Sequence, residues 1–140
     1  MTTSTITVTR DIQADRERVW TAMTDPDLVS EWMMGARVRS DWKPGGEITW
    51  SGEYNGRPFE DRGEIVEIDQ AKRLVHTHFS PMSGAEDVPE NHHRVEWSLV
   101  DKGETTELTL EMPVESEEQG EEFERNWGTM LDSLKRVAER

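Results

Sequence analysis

Alternation of apolar and polar positions dominates this chain, and a helical period interrupts it at two places. Ile6, Val8, Arg10 and Ile12 alternate with Thr5, Thr7, Thr9 and Asp11, which predicts a half-buried strand. The period then changes. Val19, Trp20, Ala22 and Met23 form an apolar stripe, with Asp15 placed to cap its start by accepting from the free amides. Asp25 ends that helix and caps the next, and Pro26 occupies the first helical position, where its missing N–H costs nothing. Leu28, Val29, Trp32 and Met33 supply the second stripe. A kinked helix pair directly after a strand is a device for wrapping one edge of a curved sheet.

Period two returns after the helices. Ala36, Val38, Ser40 and Trp42 alternate with Arg37, Arg39 and Asp41, and Lys43-Pro44-Gly45-Gly46 turns the chain. Ile48, Trp50, Gly52 and Tyr54 share the face of the next strand, which ends at the hairpin dipeptide Asn55-Gly56. Phe59, Asp61, Gly63 and Ile65 keep one parity and Val66 and Ile68 the other, and the nearby Gly63 predicts a bulge or bend around it. Residues 69–72 turn, 74–79 form a strand, and 81–90 form a loop. Val95, Trp97 and Leu99 define another face. After a turn at Asp101-Lys102-Gly103, Thr106, Leu108, Leu110 and Met112 alternate most cleanly of all. Short connections join nearly all of these seven strands, which predicts an antiparallel sheet. The chain closes on a long helix. Ser116 and Gln119 match a capping box, and glutamates crowd its start while Lys135, Arg136 and Arg140 sit at its end, as the helix dipole favours. Phe123, Trp127, Met130, Leu131, Leu134 and Val137 lie on one face.

One domain spanning 1–140 is expected from this length, with no linker to divide it. The absence of cysteine excludes disulfides and thiolate chemistry. A formal net charge of −14 argues against nucleic acid and anionic membrane surfaces, both of which need cationic contacts. No apolar run is long enough to span a membrane. The residues Met1-Thr2-Thr3-Ser4-Thr5 lack the pattern of a secretory signal, so a cytoplasmic protein is expected. Six tryptophans concentrate attention on the core, where such side chains bring the largest apolar area.

The order strand, two helices, six strands, helix matches the helix-grip fold (α+β), in which a curved seven-stranded antiparallel sheet grips a long C-terminal helix on its concave face. Val19 to Pro26 with Trp32, Gly45-Gly46, the run Arg62-Gly63-Glu64-Ile65-Val66-Glu67-Ile68, and Trp127 with Leu131 and Leu134 carry a further resemblance. At these positions the chain resembles the bacterial homologues of the activator of heat-shock protein 90 ATPase. These belong to the START-like (SRPBCC) superfamily, along with the birch-pollen allergen type and the polyketide cyclases. The resemblance implies a cavity between sheet and helix. It does not by itself imply co-chaperone activity: in the eukaryotic activators much of the chaperone contact is attributed to a second domain, for which this length leaves no room.

The residue pattern says what would line such a cavity. Phe123, Trp127, Met130 and Leu131 of the long helix face Ile48, Trp50, Leu74, Val95, Trp97, Leu99 and Leu110, with Trp32 and Met33 or Met34 closing one edge. A symmetric hairpin across the 81–90 loop pairs His78 with His93, His76 with Val95 and Leu74 with Trp97. Parity then points His76, His78 and His93 inward and His92 outward. Such imidazoles can form a polar cavity mouth, hydrogen-bond a ligand, bind metal or act as acid–base groups. Asp61 is a candidate cavity acid, but the bend beside it leaves its facing open. No catalytic residue, metal ligand or cofactor is assigned, for there is no triad ordering or nucleotide fingerprint. The expected site is therefore Trp32, Trp50, His76, His78, His93, Trp97, Phe123, Trp127, Met130 and Leu131. The leading expectation is non-enzymatic binding of a small hydrophobic ligand: a lipid, an aromatic or a polyketide-like molecule. The alternatives are a cyclase- or dehydratase-type enzyme using the histidines, and a stress- or chaperone-related interaction module docking through the acidic start of the last helix.

Overall fold

Local signals set the element boundaries. The Asp15 carboxylate accepts from the Arg18 amide and starts α1 (Arg16–Thr24). Asp25 accepts from the amides of Asp27 and Leu28 and starts α2 (Pro26–Trp32), with Pro26 leading. These helices follow β1 (Ser4–Ile12) and precede β2 (Arg37–Ser40), β3 (Glu47–Tyr54), β4 (Arg57–Asp69), β5 (Arg73–His78), β6 (His93–Asp101) and β7 (Thr106–Val114). The 22-residue α3 (Glu117–Ala138) ends the order. This computed structural model describes residues 4–81 and 84–140; Met1–Thr3, on which the signal-peptide reading partly falls, and 82–83 of the predicted loop lie outside the described residues.

The strands form one antiparallel sheet in the order β1-β7-β6-β5-β4-β3-β2. With α1 and α2 after β1 and α3 packed on β1 beside them, this is the helix-grip fold. Leu131, Leu134 and Val137 form the buried face of α3. Its ends are tied down locally. Ser116 accepts from the Gln119 amide while the Gln119 side chain accepts from the Glu115 amide, one residue outside the expected box. At the far end the Arg140 guanidinium makes two bonds, 2.7 and 2.8 Å, to the Glu31 carboxylate on α2. Among the described residues no helix is long and apolar enough to cross a membrane.

Two expectations need correction. β2 stops at Ser40, so Trp42 is not a strand residue: it sits in the following turn with φ +57°, where no ladder can continue. The parity of β4 changes between Ile65 and Val66, as the sequence predicts, but the bulge sits at that change and not around Gly63. The β4–β5 register shifts between Ile65 and Glu67, and the extra residue, Val66, is turned out to 43% exposure. Gly63 has another reason to be glycine. Beside it Arg62 and Phe79 exchange both backbone bonds (2.7 and 3.0 Å), and a Cβ on Gly63 would overlap the Thr77 carbonyl. This close crossing brings the outer half of β4 over the end of β5, which is what places Asp61 near the histidines.

Candidate ligand-binding site

The β5–β6 register is the symmetric one: Leu74 opposite Trp97, His76 opposite Val95 and His78 opposite His93. One strand face therefore carries Leu74, His76 and His78 in sequence toward the open end of the sheet. Their surroundings change sharply along that line.

Around His76 the interior is aromatic and almost closed. Trp97 meets Trp32 edge-on at 6.3 Å and Trp127 at 5.7 Å, and Trp50 lies 5.1 Å from the His76 ring. Between them remains about 20 Å³, bordered also by Met23, Met33, Trp42 and Ile48. That is room for one water molecule and not for an organic ligand. His76 itself is 2% exposed and fully bonded. Its Nε2 accepts from the Trp97 indole N–H at 3.0 Å, so Nδ1 carries the hydrogen and donates to the Thr77 carbonyl at 2.8 Å. Burial pushes its pKa down to about 4, against the smaller opposing effect of the Thr77 carbonyl. His76 is a neutral imidazole that locks Trp97 in place.

One residue pair further on, the space opens. A cleft of about 360 Å³ lies between the ends of β5 and β6 and the first turns of α3. Phe123, Trp127 and Met112 supply its apolar lining; His78, His93, Ser80, Glu90, Asn91, Glu115 and Gln119 supply the polar lining. His78 and Trp127 border both this cleft and the inner gap and so stand between them. His93 meets Phe123 edge-on at 5.7 Å, and burial, with the nearby His78, holds its pKa below the usual imidazole value. His78 lies 5.3 Å from Trp50, and its Nε2 lies 3.0 Å from the Asp61 carboxylate. The other Asp61 oxygen, Oδ1, is buried and accepts no hydrogen bond among the described residues. No group of three or more His, Asp or Glu side chains converges as a metal site among those residues.

The expected site residues thus separate into three groups. Trp32, Trp50, His76 and Trp97 surround the filled inner gap; His93 and Phe123 line the open cleft; His78 and Trp127 belong to both. Met130 and Leu131 border neither. Leu131 is fully buried core and Met130 packs beside it, because α3 lies directly on its neighbours past Trp127. His92 is turned away from the cleft wall, stacked on Phe79 at 5.0 Å and bonded to Asp87 at 2.7 Å. Sequence reasoning missed Met23 and Trp42 in the inner ring. Met23 was visible as part of the α1 stripe; Trp42 was hidden by its assignment to a strand.

Known proteins agree with this architecture. Residues 13–139 match the family described as activator of Hsp90 ATPase homolog 1-like protein. The solution structure of ChR145 from Cytophaga hutchinsonii is 38% identical with a TM-score of 0.83, over 95% of this chain and 92% of that one. CalU16 from Micromonospora echinospora is 25% identical with a TM-score of 0.74, over 96% and 75%. Aha1 from Colwellia psychrerythraea, solved as a dimer, shares the fold at 18% identity with a TM-score of 0.75, over 97% and 96%. No curated protein matches the chain. With nearly the whole chain covered by one family, the protein belongs to the activator of Hsp90 ATPase homolog 1-like family.

Proposed function

We propose that this protein is a non-enzymatic binder of a small, largely apolar ring-bearing ligand, held in the cleft between the β5–β6 ends and the start of α3. The cleft itself carries the reading. Its volume of about 360 Å³ is within the range of small-molecule sites, and its lining combines the aromatic rings of Phe123 and Trp127 with several polar side chains. The inner gap cannot serve this purpose, being already filled by tryptophan. A cyclase-type reading has one observation in its favour, the contact between Asp61 and His78, and would require the ligand to be consumed. The acidic start of α3 is an exposed face, and the docking reading rests on its charge alone.

Titration with 2-methoxynaphthalene, a neutral two-ring probe, tests the cleft. NMR shifts should concentrate on the Trp127 indole and the Phe123 and His93 rings, with little change at Trp32. Shifts centred on Trp32 and Trp50 would mean that the inner gap opens instead, and no shifts at all would end the proposal.

A further inference from the structure

We infer that Asp61 and His78 form a hydrogen-accepting pair at the inner end of the cleft, which selects ring-bearing ligands carrying a hydroxyl group, phenols above all. This rests on the cleft reading given above and adds the ligand's chemical class to it.

A buried carboxylate oxygen without a donor is costly, and Asp61 has one already in Oδ1. Its remaining oxygen, Oδ2, faces His78 Nε2 at 3.0 Å. Only the imidazole form with hydrogen on Nε2 satisfies that contact; the other tautomer would set a lone pair against a carboxylate and strand both Asp61 oxygens. The carboxylate therefore fixes the ring, as carboxylates that orient histidines do elsewhere. In the neutral ring this leaves Nδ1 as an acceptor.

That acceptor is unused and reachable. Nδ1 of His78 makes no hydrogen bond among the described residues, and Asp61 Oδ1 is the only buried side-chain nitrogen or oxygen left unpaired there, so Nδ1 is not sealed inside. His78 borders the cleft, with the Trp127 ring on the same boundary. The contrast with His76 sharpens the point, since both of its nitrogens are occupied within the protein.

The rest of the lining narrows the ligand. Among the described residues the cleft presents the carboxylates of Glu90 and Glu115 and no lysine or arginine. On a chain of net charge −14, this disfavours carboxylate- or phosphate-bearing ligands. A neutral aromatic ring against Trp127 and Phe123, with its O–H donating to His78 Nδ1, uses both walls. Asp61 acts through His78 and is a positioning residue.

The experiment compares 2-naphthol, 2-methoxynaphthalene and 2-naphthoate by NMR titration of the full chain, with the His78 ring nitrogens followed by two-bond proton–nitrogen correlation. The wild type should prefer 2-naphthol over its methyl ether by roughly threefold to tenfold, the worth of one hydrogen bond, and should bind 2-naphthoate most weakly. His78→Ala should abolish the preference while the ether still binds. His78→Gln, which keeps a polar side chain, guards against loss of folding. Asp61→Asn should release the tautomer, moving the His78 nitrogen signals and reducing the preference, which a merely structural Asp61 would not do. Equal binding of naphthol and ether by the wild type would overturn the pair's role and leave the cleft reading standing. Tighter binding of naphthoate, or a preference unchanged in His78→Ala, would overturn it equally. Failure of all three probes to move Trp127 and Phe123 would overturn both.

Discussion

His76 and His78 are two residues apart on the same face of β5, yet they meet opposite conditions. His76 is closed in by Trp50 and Trp97, with each ring nitrogen bonded to a protein atom. His78 has one nitrogen held by Asp61 and borders a cleft of about 360 Å³. The same division separates the filled and open parts of the interior. Three tryptophans converge on Trp97 or His76 and leave only about 20 Å³, while the cleft is walled by one tryptophan and one phenylalanine and edged by polar side chains. A polar group in the sealed part must be satisfied by the protein, and His76 is. A polar group at the open part can be left for a ligand. The difference between a sealed and a cleft-bordering histidine here is one step along a strand.

The most damaging way to test that division is to remove the centre of the sealed part. Trp97→Ala should cost about 4 kcal/mol, since it empties a large buried volume and strands the His76 Nε2 that its indole satisfied. Urea midpoints measure this. A loss near 1 kcal/mol would mean that the tryptophan cluster is loosely packed and the inner gap can expand.

The second test is acid. The folded-state pKa of His76 is about 4, below its ordinary 6.5, so between these values the unfolded chain binds a proton that the folded one refuses. The stabilisation is therefore complete above pH 6.5 and is lost as pH falls toward 4. From pH 7 to pH 5 the loss should be about 2 kcal/mol. His93, whose pKa is also lowered, adds a loss of the same sign. His76→Gln, which can still accept from the Trp97 indole, isolates the contribution. Its stability should fall about 2 kcal/mol less than wild type over the same interval. Equal losses in the two proteins would show that His76 takes up its proton without unfolding.

Which parts of this site could be read from the chain follows from how each is determined. Strand parity depends only on a period of two, and the hairpin register of β5 and β6 follows from its symmetry, so the inward facing of His76, His78 and His93 was legible. Asp61 was not. Its approach to His78 depends on the close crossing at Gly63 and the bulge at Val66, which together bend β4 across the end of β5. The parity change between Ile65 and Val66 announced a distortion at that place without giving its direction. Trp42 was lost for a related reason, since alternation carried on past the true end of β2 into a turn. The division of the interior was the least legible feature. It depends on the rotamers of Trp32, Trp50, Trp97 and Trp127 and on how far their rings interlock, which no local pattern encodes. The stripe on α3 likewise showed one face, not where along it packing ends and the cleft begins.

Trp127 is where the comparison becomes most exact, because its ring borders both spaces. It touches Trp97 at 5.7 Å but is only half-buried, its other side facing the cleft. A side chain with one free face forfeits less packing when it is cut back, so Trp127→Ala should cost about 2 kcal/mol, roughly half the loss expected for Trp97→Ala. The larger effect should be on shape. Without the indole nothing on the helix side separates the gap from the cleft, and the two should merge. The neutral dye N-phenyl-1-naphthylamine, too bulky for the inner gap, should then reach the ring of Trp50 and brighten several-fold beyond its emission with wild type. A stability loss matching that of Trp97→Ala, with no gain in dye emission, would place Trp127 wholly in the sealed part. The boundary drawn between the two histidines would then have to move outward, to His93 and Phe123.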